Sequence, residues 1–242
     1  MIEKSKDRSP KSDASMSSSF LRETILIAKK DLAIERATGE IVTTSGFFAL
    51  LLTILSSLAF SSGPDVGTRI APGVIWLSVT FASVLGLSRT WTRERDEGAL
   101  RGLIVAPIAR GAIFAGKAVG VMAFITAVEG LVIPASAVLL GFDLGRYAGP
   151  LAVIALFANV GIAATGTLFG AMTVRTRARD LVLASVLLPL LAPTLGSAIV
   201  ATRDLFEGAR LAELGDYLEL MGVFDVLFTA GGLGLFGWLI EG

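Results

Sequence analysis

The chain has 242 residues, of which 53% are apolar, and its 21 Lys and Arg residues balance its 21 Asp and Glu residues. It contains neither cysteine nor histidine, which excludes disulfides and thiolate or imidazole chemistry and disfavours a hydrolase or oxidoreductase site. Because apolar runs of about 18 or more residues recur, the sequence predicts an all-α integral membrane protein.

The N-terminal region divides into two segments. Residues 1–19 are polar and rich in serine and lysine, which predicts a disordered cytosolic tail. Residues 20–42 carry an apolar helical stripe, namely Leu21, Ile25, Ala28 and Leu32. Basic residues accompany this stripe, so we expect an interfacial amphipathic helix that leads into the first span. A helix solvated in the cytosol is the alternative, because the stripe covers only about three turns.

Six apolar segments are long enough to cross a membrane, and together they make residues 43–242 one predicted permease domain. They are residues 43–60, 70–87, 113–140, 151–174, 181–201 and 217–240.

The basic residues of the predicted loops set the orientation. Seventeen Lys and Arg residues fall on one side of this six-span topology and four on the other. The positive-inside rule therefore predicts a multi-pass protein of the cytoplasmic (inner) membrane with both termini cytoplasmic. No extended basic surface is left for nucleic acid.

The cytoplasmic loop 89–112 is both charged and patterned. Apolar residues at helical spacing predict a short amphipathic helix that ends near Pro107 and docks on a soluble partner. A solvated loop that only obeys the positive-inside rule is the alternative. The candidate partner-contacting residues are Arg93, Glu94, Asp96, Glu97, Gly98, Leu100, Leu103, Ile104 and Pro107.

The segment GAIFAGKA, residues 111–118, almost matches a phosphate-binding loop. Ala118 occupies the position that needs a Ser or Thr hydroxyl, and the segment does not follow a buried strand. We therefore expect Gly116 and Lys117 to mark entry into the membrane, and any ATP to be bound by another polypeptide.

Ionisable residues and prolines inside the spans are few. An isolated charge near mid-membrane costs about 3 kcal/mol, so Glu129 is expected to face protein or a polar cavity, or to form a structural hydrogen bond between helices. Asp225, about two turns into the sixth span, is expected to reach the membrane interface. Pro134 predicts a kink in the third span, and Pro189 and Pro193 predict one in the fifth.

The fourth span has one face of small residues. Gly161, Gly166 and Gly170 lie on it, and the last two form a GxxxG pattern. This pattern favours close packing between helices.

Several ordered segments resemble a known class of transporters. The pattern EGxLxxLxxxP, residues 97–107, followed by GK, resembles the coupling loop of ABC-2 type exporter permeases. Together with RIAPGVIW (69–76), LLGFDL (139–144) and LVLASVLLPLLAP (181–193), it resembles the haem exporter protein B family, CcmB, of cytochrome c maturation. The resemblance extends from about residue 20 to the C-terminus.

The resemblance implies a non-catalytic permease subunit of an ABC transporter for c-type cytochrome biogenesis. Its implied partners are a CcmA-like ATPase, CcmC-like and CcmD-like haem-handling subunits, and a CcmE-like haem chaperone that ATP hydrolysis releases. ATP would be bound by the ATPase and haem handled by the complex, so the chain itself would bind no cofactor and no metal. Paired ATPases imply a dimer or pseudo-dimer. The alternatives are an ABC-2 permease that exports a lipid, glycan or drug, and a membrane scaffold that transports nothing.

Overall fold

The computed structural model describes residues 11–60, 66–96, 102, 105–173 and 179–241, and all regular structure within these ranges is helical. We number the long helices α1 to α7. They are α1 (Lys11–Thr38), α2 (Glu40–Phe60), α3 (Val66–Asp96), α4 (Arg110–Leu140), α5 (Leu144–Thr173), α6 (Arg179–Phe206) and α7 (Gly215–Glu241), with a 3₁₀ turn at Leu211–Leu214 before α7.

Helices α2 to α7 are each long and apolar enough to span a membrane, which confirms the predicted six-span, all-α architecture. Several helices continue beyond the predicted spans. For example, α3 continues from residue 87 to Asp96. It can do so because Arg89 and Arg93 near its end form ion pairs with Glu40 of α2. Such pairs let a helix extend past the apolar segment that crosses the membrane.

The structure corrects the predicted N-terminal boundaries. Helix α1 begins at Lys11, within the predicted tail, and residues 1–10 lie outside the described part of the chain, so the disorder of the tail stays a prediction. Once a helix is nucleated and docked, it extends into flanking residues at low cost, even when they are polar. Helix α1 ends at Thr38 rather than residue 42, because Gly39 adopts a left-handed φ of 62° that turns the chain into α2.

Helix α1 packs along α4. The face of α1 that makes this contact is not the apolar stripe identified in the sequence. Ile27 is buried against the bundle, whereas Leu21, Ile25 and Leu32 of the predicted stripe are exposed. Gly116 of α4 permits the approach, since a Cβ there would lie only 2.7 Å from the Cβ of Ile27. Part of the apolar stripe therefore remains available for lipid.

Helix α5 lies at the centre of the bundle and packs against α3, α4, α6 and α7. Gly166 and Gly170 pack directly against the side chains of Leu87 and Trp91 of α3 and leave no room for a Cβ. The predicted close packing of the glycine face is therefore confirmed. The predicted kinks stay predictions: Pro134 lies within α4, and Pro189 and Pro193 lie within α6.

The two ends of the bundle differ. We call the end that carries α1, the end of α3 and the start of α4 the α1 face. The opposite face carries the end of α2, the start of α3 and the connections from α4 to α5 and from α6 to α7. There Phe206, at the end of α6, packs against Phe142 and Tyr147, with ring centroids 4.8 and 4.7 Å apart.

Candidate functional site at the junction of α1, α3 and α4

Four charged side chains meet on the α1 face. Lys117 of α4 is only 2% exposed, and its Nζ lies 2.8 Å from Oδ2 of Asp31 and in direct contact with Oε1 of Glu94. Nζ of Lys30 lies 3.1 Å from Oδ1 of Asp31 and 3.2 Å from Oε1 of Glu94. We call Lys30, Asp31, Glu94 and Lys117 the junction cluster. Two cations and two carboxylates from three helices make it formally neutral.

Mutual compensation explains how these charges tolerate burial. A buried ion pair contributes little net stability, but removing one partner costs about 3–5 kcal/mol because the other charge is left uncompensated. Burial and the neighbouring carboxylates have opposite influences on Lys30. Burial lowers the pKa of Lys30, but Asp31 and Glu94 outweigh burial and raise the pKa above its ordinary value. The cluster therefore resists any separation of α1, α3 and α4.

Two glycines allow the cluster to form. A Cβ on Gly116 would lie 2.9 Å from the backbone oxygen of Thr24, and a Cβ on Gly120 would lie 3.4 Å from the Cβ of Asp31. The absence of side chains at these positions brings α1 close enough for Asp31 to reach Lys117. In the GK pair, Gly116 thus lets α1 approach α4 closely, and Lys117 supplies the buried cation.

Both flanks of the loop between α3 and α4 are attached to α1 or to its turn into α2. Before the loop, Nη2 of Arg93 donates to Oγ1 of Thr38 at 3.2 Å and to Oε2 of Glu40 at 3.2 Å. After the loop, the backbone N–H of Ala109 donates to Oε2 of Glu23 at 3.1 Å. A displacement of this loop must therefore move α1 or break these contacts.

The structure corrects the placement of three predicted partner-contacting residues. Arg93, Glu94 and Asp96 belong to the last turns of α3 rather than to a separate short helix. Glu94 is only 5% exposed and is paired within the chain, so it is not placed to fix the register of a docked protein. The physical reason is the buried cation of Lys117, which holds Glu94 inside the junction.

The rest of the predicted docking helix is described only at its end. Glu97, Gly98, Leu100, Leu103 and Ile104 lie outside the described residues. Val105 is helical and 86% exposed, and the N–H of Ala106 donates to the carbonyl of Gly102 at 3.1 Å. The helical backbone ends before Pro107. An apolar side chain therefore points away from the protein just before α4.

A second polar site lies within the spans. Glu129 is 4% exposed, and its Oε2 accepts a hydrogen bond of 2.7 Å from Nδ2 of Asn159 on α5. Nδ2 also lies 3.2 Å from Oγ1 of Thr126. We call Glu129 and Asn159 the midspan pair. Glu129 faces protein and forms an interhelical hydrogen bond, as expected, and both residues line a cavity of about 450 Å³ between α4 and α5.

Asp225 of α7 turns toward the inside of the bundle, and whether it also lies near the membrane interface stays a prediction. It is buried against α5, where a Cβ on Gly161 would lie 2.7 Å from Oδ1 of Asp225. The small residue at position 161 leaves the space that this carboxyl occupies. Across the described ranges, no three His, Cys, Asp or Glu side chains are grouped so that they could hold a metal ion.

Sequence reasoning missed the partners of these groups. Lys30 counted only as one of the basic residues of the interfacial helix, Asp31 had no visible role, and Lys117 was assigned only to membrane entry. Asn159 stands out in the sequence as an amide in an otherwise apolar segment, and that signal could have identified the partner of Glu129.

Comparison with known proteins identifies the family. The sequence model of the family described as CcmB protein matches residues 22–230. The chain belongs to the CcmB family. The matched range begins in α1 and ends in α7, so it contains the junction cluster, the loop and the midspan pair.

Individual CcmB relatives agree with this assignment. The chain is 31% identical to the heme exporter protein B of Paracoccus denitrificans over 72% of this chain and 79% of the relative. It is 33% identical to that of Rhodobacter capsulatus over 66% of this chain and 72% of the relative. It is 26% identical to that of Haemophilus influenzae over 83% of this chain and 89% of the relative.

Proposed function

We propose that this CcmB family member is the permease subunit of an ATP-driven haem exporter complex for c-type cytochrome biogenesis. The relatives are named heme exporter protein B, and the chain has six apolar helices suited to a permease. The observation that carries the mechanism is the attachment of both loop flanks to α1. The α1 face is cytoplasmic in this proposal, as the distribution of basic residues predicts.

The proposed partner is a CcmA-like ATPase that binds the loop between α3 and α4. Leu100, Leu103 and the exposed Val105 supply apolar contacts, while charged residues around them favour one docking orientation. ATP is hydrolysed on that subunit. The permease contributes positioning and performs no covalent chemistry.

The junction cluster then transmits the displacement of the loop. Glu94 connects the end of α3 to Lys117 at the start of α4, and Asp31 connects Lys117 to α1. Because these pairs are buried, separating them is costly, and the three helices move together. Two permease copies, or one copy and a pseudo-symmetric partner, match two ATPases. CcmC-like and CcmD-like subunits handle haem, and the cycle releases a haem-loaded CcmE-like chaperone.

Substitutions in the loop test the docking step. Replacing both Leu100 and Leu103 with Asp puts charges on the proposed contact face, where each lost apolar contact is worth about 1–3 kcal/mol. ATPase co-purification and c-type cytochrome formation are expected to fall together, while the protein still accumulates in the membrane. Ala212→Asp, at an exposed position on the opposite face, is the control for adding a charge and is expected to leave both unchanged. Wild-type values for the double variant would refute the proposal, and lost recruitment of a protein without ATPase activity would support the scaffold instead.

Cysteine labelling tests the orientation without background, because the chain has no cysteine. Exposed positions Ala37 and Gly102 are expected to be labelled from the cytoplasm, and Gly145 and Glu207 from the other side. Labelling of any of these positions from the wrong side would contradict the proposed topology.

A further inference from the structure

A cavity of about 370 Å³ lies beside the junction cluster, at the elbow where α1 turns into α2. Its walls come from α1, α2, α3 and α4, and they combine charged and apolar side chains. Glu35 and Arg36 supply charges that the proposed transport mechanism does not use, while Leu32, Val121 and Phe124 supply apolar surface. The other charged lining residues, Asp31, Arg93, Glu94 and Lys117, already pair with other residues of the chain.

Two carboxylate oxygens of the lining residues lack hydrogen-bond donors. Oε2 of Glu94 and Oε2 of Glu35 are buried, and neither has a hydrogen-bond partner in the part of the chain that the structure describes. Nη1 of Arg93 lies 4.0 Å from Oε2 of Glu35, beyond hydrogen-bond reach. Oε1 of Glu35 accepts from the backbone N–H of Val42 at 2.8 Å, which holds the carboxylate in place. Buried acceptors of this kind are normally satisfied, so they indicate a ligand with several N–H donors.

The other part of the cavity favours an anion. Arg36 is exposed at its rim, and Gly39 and Ile41 of the lining lie at the start of α2. The first N–H groups of a helix have no acceptors within the helix and attract anionic groups, and in α2 the N–H of Val42 already binds the carboxylate of Glu35. A ligand that carries both an ammonium and a phosphate would therefore complement the two parts of the cavity.

The position of the cavity favours a lipid as the source of these groups. It lies where the charged end of α3 meets the apolar part of α4, and the exposed apolar residues Leu21, Ile25 and Leu32 of α1 are on the adjoining helix. This is the depth at which headgroups meet acyl chains. Leu32, Val121 and Phe124 provide apolar surface for the acyl chains.

We propose that the cavity at the α1–α2 elbow binds phosphatidylethanolamine, with its ammonium on Glu35 and Glu94 and its phosphate beside Arg36 and the first turn of α2. Phosphatidylcholine carries the same charges but has no N–H group to donate. Phosphatidylglycerol has no cation for the two carboxylates. The site therefore recognises hydrogen-bond donors as well as charge, and the bound lipid contacts two helices of the junction.

A series of methylated headgroups tests this recognition. The purified full-length protein, stripped of lipid, is titrated with dioleoyl-phosphatidylethanolamine, its N-monomethyl and N,N-dimethyl derivatives, phosphatidylcholine and phosphatidylglycerol, with bound lipid measured by native mass spectrometry. Affinity is expected to fall by about tenfold or more across the series, mainly at the second and third methyl groups, because a monomethyl ammonium still has one N–H group for each of the two carboxylate oxygens that lack donors. Equal binding of phosphatidylethanolamine and phosphatidylcholine, or tighter binding of phosphatidylglycerol, would overturn the proposal.

Two variants test the part of the cavity that binds the ammonium and the part that binds the phosphate separately. Glu35→Gln keeps the acceptor for Val42 and is expected to reduce the preference for phosphatidylethanolamine over phosphatidylcholine by about tenfold. Arg36→Gln is expected to weaken both lipids alike, because both contain the phosphate. Glu207→Gln and Arg22→Gln, both away from the cavity, are the matched controls. Unchanged lipid preference in Glu35→Gln would contradict the assignment.

Soluble phosphoethanolamine distinguishes the lipid from a free headgroup. Because it lacks acyl chains, it is expected to compete far more weakly than the lipid. Competition as strong as that of the lipid would overturn the lipid assignment and identify a soluble phosphoamine as the ligand.

Discussion

The junction cluster and the midspan pair are both buried polar sites, but different interactions satisfy their carboxyl groups. In the junction cluster, Glu94 and Lys117 neutralise each other with the help of Asp31 and Lys30. In the midspan pair, Glu129 receives a hydrogen bond from the neutral amide of Asn159. The stability of the junction cluster therefore depends on opposite charges, and that of the midspan pair depends on shape and hydrogen bonding. This difference is why we propose a role in transmission between helices for the junction cluster and a role in packing between helices for the midspan pair.

Removing the buried cation is expected to have the largest effect. Lys117→Met leaves Glu94 and Asp31 facing each other with only the half-exposed Lys30 as compensation. The free energy of unfolding should fall by about 3–5 kcal/mol, measured by thermal unfolding in detergent. Adding Glu94→Leu removes the most buried carboxylate, so the double variant should recover part of that loss. A single variant as stable as wild type would contradict the importance of charge at this site.

A methyl group at the α1–α4 contact is expected to have the next largest effect. In Gly116→Ala the new Cβ meets the Cβ of Ile27 and the backbone of Thr24, which a rotamer change cannot relieve. Overpacking of this kind costs about 1–3 kcal/mol. Gly130→Ala in the same helix is the control, because a Cβ there meets nothing within 4 Å. Equal melting temperatures for the two variants would show that α1 does not pack against Gly116 as described.

The smallest effect is expected when Glu129 of the midspan pair is replaced by an amide. Glu129→Gln keeps the shape and a hydrogen-bond acceptor for Asn159, so stability should change by less than about 1 kcal/mol. Glu94→Gln, the same substitution in the junction cluster, should cost more, because Lys117 then loses a charged partner. Thermal unfolding of both variants under identical conditions makes the comparison. A larger loss for Glu129→Gln than for Glu94→Gln would reverse the assignment of the two sites.

The sequence predicts the six spans and the glycine face of α5 well because these features depend on local composition. Hydropathy over about 20 residues identifies a span, and glycines at positions 166 and 170 lie on one helical face whatever surrounds them. The end of α3 shows the limit of that reasoning. Its charged residues suggested a loop, but their pairing with α1 and α2 extends the helix to Asp96.

Pairings between distant residues were not predictable from the sequence alone. Asp31, Glu94 and Lys117 belong to three different helices, and nothing in the spacing of one helix indicates which residue of another it meets. The same holds for Asp225, whose inward position depends on the absence of a side chain at Gly161. Charge and burial become informative only when the helices have been placed together.

We propose that the junction cluster transmits the displacement of the loop to the spans, and the double variant Glu94→Leu/Lys117→Met tests this transmission most directly. Its loop sequence is intact, and its remaining Lys30–Asp31 pair is neutral, so it should accumulate and retain the ATPase on co-purification. We expect c-type cytochrome formation in a strain lacking the native gene to fall by about tenfold or more, a typical size for coupling between sites. Wild-type cytochrome formation at equal accumulation and equal ATPase binding would contradict the account.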